Sequence, residues 1–207
     1  MDLALFDFDG TVTDKETMPD FIYAAVSPGR LRLGKIILLP LILGYKVKLV
    51  SGSAIRAALC FFGFWRVSAD ELKTQGQRFA KDFLPTRLRA DAMERIAWHK
   101  ARGDTVVIVS GGLDFYLSPW CKEHGLDLLC SALEQGRNGK LSGLYKGKQC
   151  AGEEKARLVQ QRFNLSQFST IYAYGDTPED RQLLALADEA YYRWQPSTSF
   201  LKQDTER

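Results

Sequence analysis

The stretch Leu3-Ala4-Leu5-Phe6-Asp7-Phe8-Asp9-Gly10-Thr11 decides the reading of this chain. Its first part is a short apolar run of the kind that forms a strand covered on both faces, and it ends abruptly in acids and a glycine. If the strand continues, alternation puts Asp7 and Asp9 on one side near its C-terminal end. Open α/β sheets bind ligands in the crevice outside those ends. Two carboxylates so close repel each other and call for a cation between or beside them. Gly10 lets the chain turn and bring backbone N–H groups toward an anion.

Working outward, the same arrangement recurs. Thr105 to Val109 reads as a second strand and runs straight into Ser110-Gly111-Gly112. Thr170 to Tyr174 reads as a third and runs into Gly175-Asp176, and Ala190 to Trp194 reads as a fourth. Helical stretches lie between them: Arg87 to Ala101, Leu113 to His124, Glu153 to Phe163 and Pro178 to Ala187. Strands alternating with helices predict an α/β fold, a doubly wound, Rossmann-like parallel sheet. A small β-hairpin is expected within Leu128 to Tyr145, where two apolar runs flank Gln135-Gly136-Arg137-Asn138-Gly139.

Each strand end carries a chemically useful group. Ser110 offers a hydroxyl beside amides that suit a phosphate, and serves equally well as a plain helix cap. Lys155 stands near the start of its helix as a compact positive charge, with Lys146 and Lys148 as rivals. Asp176 sits at a strand end and Asp180 four residues later, hard oxygen donors of the type Mg²⁺ prefer, or ordinary acids at a helix start. No single motif is specific, but their joint order is: a doubly wound sheet brings all four to one edge. His99 and His124 fall in helices and receive no chemical role.

With 45% hydrophobic and 26% charged residues among 207, the chain is that of a folded globular protein. Cys60, Cys121, Cys130 and Cys150 are widely spaced, which predicts reduced thiols rather than disulfides or zinc. The chain opens directly into a strand with no leader-like segment, so a cytoplasmic address is expected. Net charge is only +3, but it is unevenly spread. From Phe21 to Ala69 there is no acid, while Arg30, Arg32, Lys35, Lys46, Lys48, Arg56 and Arg66 are all basic.

That segment lies in a region, about 14 to 83, that departs from strand–helix alternation and reads as several helices. Residues 14–83 are therefore expected to form an inserted helical cap domain, and 1–13 with 84–207 the core domain. The run Ile36 to Tyr45 is too short to span a bilayer, which needs about 20 residues. Two readings remain open for it: a helix kinked at Pro40 and buried inside the cap, or insertion into an anionic membrane interface. Nucleic-acid binding is not expected, because the basic residues sit among Leu and Ile without a recognition motif.

Taken together, these motifs resemble the haloacid dehalogenase superfamily, in the branch that contains phosphoserine phosphatase. The resemblance implies Asp7 as nucleophile and Asp9 as general acid/base. It implies Thr11, Ser110, Gly111 and Lys155 around the phosphoryl group. Asp7, Asp9 and Asp176 would be the ligands of Mg²⁺, with Asp180 supporting them. It further implies a phosphatase working through an aspartyl-phosphate. Glu16 matches a cap-hinge glutamate that favours a phosphoserine-like substrate. Against this, Glu179 stands where those enzymes carry Asn. In its apolar, basic cap and its Tyr191-Tyr192-Arg193-Trp194 ending, the chain is similar to bacterial phosphatidylglycerophosphate phosphatases. The expected substrate is therefore a small-molecule or lipid-headgroup phosphomonoester, with possible peripheral membrane contact through the cap at the inner surface. A soluble phosphoserine phosphatase and a non-catalytic anionic-lipid-binding module are the alternatives.

Overall fold

In the computed structural model, residues 1–197 are described; most of the polar tail therefore lies outside the described residues. In chain order the strands are β1 (Leu3–Phe6), β2 (Thr105–Leu113), β3 (Asp127–Ser131), β4 (Leu133–Gln135), β5 (Leu141–Tyr145), β6 (Ile171–Gly175), β7 (Glu189–Tyr192) and β8 (Gln195–Pro196). The helices are α1 (Met18–Ala25), α2 (Pro28–Ile37), α3 (Leu39–Lys46), α4 (Gly52–Phe64), α5 (Ala69–Asp82), α6 (Ala90–Ala101), α7 (Asp114–His124), α8 (Glu153–Arg162) and α9 (Arg181–Leu184).

The main sheet has the order β3-β2-β1-β6-β7-β8, and β1 lies between β2 and β6 with both neighbours parallel. Strand β1 shows why these residues form a central strand. Its side chains are fully buried on both sides. Leu3 and Leu5 join Val107, Val109, Ile171 and Ala173 in one cluster, under α8 and α9. Ala4 and Phe6 face the opposite layer with Ile108, Tyr174, Tyr116 and Trp120. Alternation at period 2 thus feeds two apolar layers at once, which is what a parallel sheet covered on both faces requires. On the second layer His99 is buried, its Nδ1 2.9 Å from Asp104 and its Nε2 2.9 Å from the Tyr174 hydroxyl, a brace between α6 and the sheet.

Several boundaries differ from the sequence reading. The expected hairpin forms from β4 and β5, but the residues just before it, β3, join the parallel sheet at its edge instead. Strand β7 ends at Tyr192, because Arg193 and Trp194 both take positive φ and turn the chain back into β8. The helix expected from Pro178 to Ala187 is a 3₁₀ turn, Pro178–Asp180, followed by the single turn of α9. Ser110 is not a helix cap, since β2 continues through it and α7 is capped at Leu113.

Part of the insertion between β1 and α6 packs directly on the α/β layer. Phe21 of α1, Phe64 of α4, and Leu72 and Phe79 of α5 share a buried cluster with Phe8, Tyr116 and Trp120. Helix α2 touches this cluster through Leu31, and α3 lies further out. Helix α3 has no buried residue, and the chain breaks at Leu38, before Pro40, which sits in the first turn of α3 where a missing N–H costs nothing. Burial of the run Ile36 to Tyr45 is therefore overturned: Ile36 is 73% exposed, Leu43 52%, and Leu49 just beyond 84%. Among the described residues, no helix is long and apolar enough to cross a membrane.

Candidate active site

The C-terminal end of β1 lies between β2 and β6, with Phe6 level with Ile108 and Tyr174. Beyond that level β1 leaves the sheet at Asp7 and β6 at Asp176, while β2 runs on through Ser110 along β3. They open into a cavity of about 600 Å³, lined on one side by Asp7, Asp9, Gly10, Ser110, Gly111, Lys155 and Asp176. Its other walls come from the insertion, among them Glu16, Ile22, Leu31, Leu38, Ile42, Arg56 and Leu59.

Asp7 follows the last residue of β1 and is pinned by its own N–H, which donates to the Tyr174 carbonyl at 2.9 Å. Its carboxylate Oδ1 accepts from the Lys155 ammonium at 2.5 Å, and the same ammonium donates to Asp180 Oδ1 at 2.6 Å. Lys155 is 3% exposed, whereas Lys146 and Lys148 are solvated. The geometry therefore brings Lys155, not its rivals, to the acids. Burial alone pulls the Lys155 ammonium down, but the Asp7 and Asp180 charges outweigh it, so this lysine is held charged.

Asp180 is completely buried and is the strut of its loop. Its Oδ2 accepts from the N–H groups of Asp176 and Thr177 at 3.1 and 3.0 Å and from the Thr177 hydroxyl at 3.1 Å. Asp176 in turn receives the Thr11 hydroxyl at 3.5 Å. Gly10 is required here. Its φ is +83°, and a Cβ on it would lie 2.3 Å from Asp176 Oδ2.

One carboxylate oxygen each from Asp7, Asp176 and Asp180 lies within 4.8 Å of the others, a grouping that could hold a cation. Burial raises the Asp7 carboxyl well above its ordinary range; Lys155 opposes this and the Asp180 charge adds to it. Asp176 is raised as well, by burial and then by Asp180. Three hard oxygen donors that one ammonium leaves under-compensated fit a divalent ion such as Mg²⁺.

The carboxylate of Asp9 is outside that group. β1 stops at Phe6, so strand alternation does not relate the two acids; Asp9 lines the same cavity but accepts from Thr17, through N–H at 2.9 Å and hydroxyl at 2.6 Å. Burial pushes Asp9 up to about 6, the Thr17 hydrogen bonds opposing it. Ser110 lines the cavity, where its Oγ accepts from the Gly112 N–H at 3.0 Å. Glu16 lies on the exposed lip.

Sequence reasoning missed Thr17, and it noted Arg193 and Trp194 only as part of a similar ending, without a place at the site. Arg193 donates from Nε to the Asp176 carbonyl at 3.0 Å, and Trp194 from Nε1 to the Thr11 carbonyl at 3.3 Å, so the β7–β8 turn clamps both acidic loops. The only signal for Thr17 was a polar residue just ahead of a Met-Pro helix start. The contact spans eight residues of loop that no periodicity describes.

A family model described as haloacid dehalogenase-like hydrolase matches residues 4–185. Protein CicA of Caulobacter vibrioides (strain NA1000 / CB15N) is 32% identical over 192 residues, 92% of this chain and 85% of that protein. A phosphoserine phosphatase of Archaeoglobus fulgidus is 31% identical over 103 residues, 49% of this chain and 30% of the relative. The solved structure of a protein with unknown function from Bordetella pertussis Tohama I has a TM-score of 0.76 at 23% identity, covering 92% of this chain and 88% of that one.

Proposed function

The chain belongs to the haloacid dehalogenase-like hydrolases and is related to phosphoserine phosphatases; on that premise we propose that it is a Mg²⁺-dependent phosphomonoesterase that passes through an aspartyl-phosphate. The observation that carries this reading is the Lys155 ammonium bridging Asp7 and Asp180 at the floor of the cavity, with Asp176 beside them.

Asp7 attacks phosphorus with a carboxylate oxygen, and the bond from phosphorus to the ester oxygen breaks. Asp9, raised to about 6, gives the departing oxygen its proton. It then takes a proton from water, which attacks the phosphoryl group and releases phosphate and free Asp7. Lys155 and Ser110, with the amide of Gly111, hold the phosphoryl oxygens as charge spreads over them. Asp7 and Asp176 would hold the metal, with Asp180 orienting them; when bound, the ion offsets the negative charge that meets at the nucleophile. Thr11 steadies Asp176.

The substrate we favour is a lipid-linked phosphomonoester such as phosphatidylglycerophosphate. Residues 14–83 act as a cap over a core of 1–13 and 84–207. The cavity walls that the cap supplies are mostly apolar with basic residues among them, and α2, α3 and the turn after them expose Leu33, Ile36, Ile37, Leu39, Leu43, Val47 and Leu49 beside Arg32, Lys35, Lys46 and Lys48. Apolar side chains framed by cations suit the interface of an anionic bilayer. This reading places the protein in the cytoplasm, at the inner membrane surface.

With Mg²⁺ and a panel containing phosphoserine and short-chain phosphatidylglycerophosphate, wild type should release phosphate and Asp7→Asn should not. Equal release by both ends the catalytic reading, and a preference for phosphoserine ends the lipid one. Flotation with phosphatidylglycerol vesicles tests the membrane contact. Ile36→Asp with Leu49→Asp should abolish flotation while leaving the melting temperature unchanged.

A further inference from the structure

Arg56 of α4 reaches across the cavity mouth to Glu179. Its Nη2 lies 3.0 Å from Oε1 and 2.8 Å from Oε2 of that carboxylate. The pair joins the insertion to the 3₁₀ turn that carries Asp180, and both residues line the same cavity as Asp7. The local structure makes room for it. Gly52 is the first residue of α4, and a Cβ there would lie 3.0 Å from Glu179 Oε1 and 3.2 Å from Arg56 Nη1. Gln149 braces the arrangement, accepting from Arg56 Nε at 3.4 Å and donating to the Ser53 carbonyl at 2.7 Å.

This ion pair has a consequence for what the cavity accepts. A guanidinium facing a phosphoryl site is a natural partner for a second anionic group on the substrate. Here that cation is already neutralised from within, and Lys155 is taken up by Asp7 and Asp180. A substrate carboxylate that turns to Arg56 must displace Glu179, exchanging one ion pair for another with no gain, and the freed Glu179 then repels it.

We propose that Glu179 is a specificity-determining residue: by occupying Arg56 it turns the site against phosphomonoesters with a carboxylate within two carbons of the phosphate-bearing carbon. The inference rests on the phosphomonoesterase reading and narrows its substrate class. Esters that carry no such carboxylate are accepted, and those related to phosphoserine or phosphoglycerate are disfavoured.

The test compares glycerol 3-phosphate with 3-phosphoglycerate, which differ only in an alcohol against a carboxylate, using the full chain with Mg²⁺. Glu179→Gln should raise kcat/KM for 3-phosphoglycerate relative to glycerol 3-phosphate about tenfold. Glu179→Asp, which keeps the charge, should stay closer to wild type. Adding Arg56→Gln to Glu179→Gln should erase the gain. An unchanged ratio in Glu179→Gln, or a gain that survives loss of Arg56, overturns the proposal while leaving the phosphatase reading intact. A wild type that releases no phosphate from either ester or from p-nitrophenyl phosphate overturns both.

Discussion

The Thr17 hydroxyl donates to Asp9 at 2.6 Å and its N–H at 2.9 Å, so the residue that opens the helical insertion holds the second acid of the first strand loop. Two hydrogen bonds to a carboxylate favour its charged form, yet burial outweighs them and the group is raised to about 6. The balance leaves Asp9 able to exist in either protonation state near neutral pH, as a group that gives and then takes a proton must.

That balance is testable through rate. The kcat/KM for an ester with a poor leaving group should fall with rising pH through about 6, as Asp9 loses the proton it must donate. Thr17→Val removes the hydroxyl that stabilises the charged form and should move this limb to higher pH. With p-nitrophenyl phosphate, whose leaving group needs no proton, the limb should flatten in both proteins. A Thr17→Val profile displaced to lower pH contradicts the assignment.

Asp9 also costs stability. A carboxyl raised from 3.8 to about 6 on folding favours the native state fully only below 3.8, and that advantage is lost as pH rises through about 6. Asp9→Asn should therefore melt higher than wild type at pH 7, by up to about 3 kcal/mol at 1.36 kcal/mol per unit, while losing activity. Near pH 4 the two proteins should melt alike. Thermal melts at both pH values check this.

Lys155 has the opposite sign. Replacing it with Met strands Asp7 and Asp180 as buried charges, and removal of one partner from such a cluster costs about 3–5 kcal/mol. Lys155→Met should be both inactive and unstable at pH 7. Part of the loss should return on lowering the pH to 5, because burial already favours the protonated form of Asp7 and each proton taken up removes a stranded charge. Denaturant unfolding at the two pH values separates this from a simple packing defect, which would not depend on pH.

Gly10→Ala should act through Asp176. The new Cβ meets the Asp176 carboxylate, and φ of +83° is itself costly for alanine, so a loss of about 1–2 kcal/mol is expected together with weaker Mg²⁺ binding. Calorimetric Mg²⁺ titration of the folded variant provides the check, and wild-type affinity would refute it.

Much of the site was legible in the chain. Asp7, Ser110 and Asp176 each follow an apolar run that only a doubly covered strand explains, and parallel pairing in register brings those strand ends to one edge. What sequence could not supply was direction beyond the strand. Alternation predicted that Asp7 and Asp9 share a face, but β1 ends at Phe6 and the two acids diverge to Lys155 and Thr17.

The order of apolar runs and strand-end acids, set by local alternation and turn chemistry, determined the sheet and the edge on which its reactive groups gather. Tertiary structure alone decided which lysine reaches the acids, that Arg56 is held by Glu179, and that Ile36 and Leu49 face outward. Those facts depend on contacts between residues up to 148 positions apart, whose energies arise only when separate elements meet and exclude water between them.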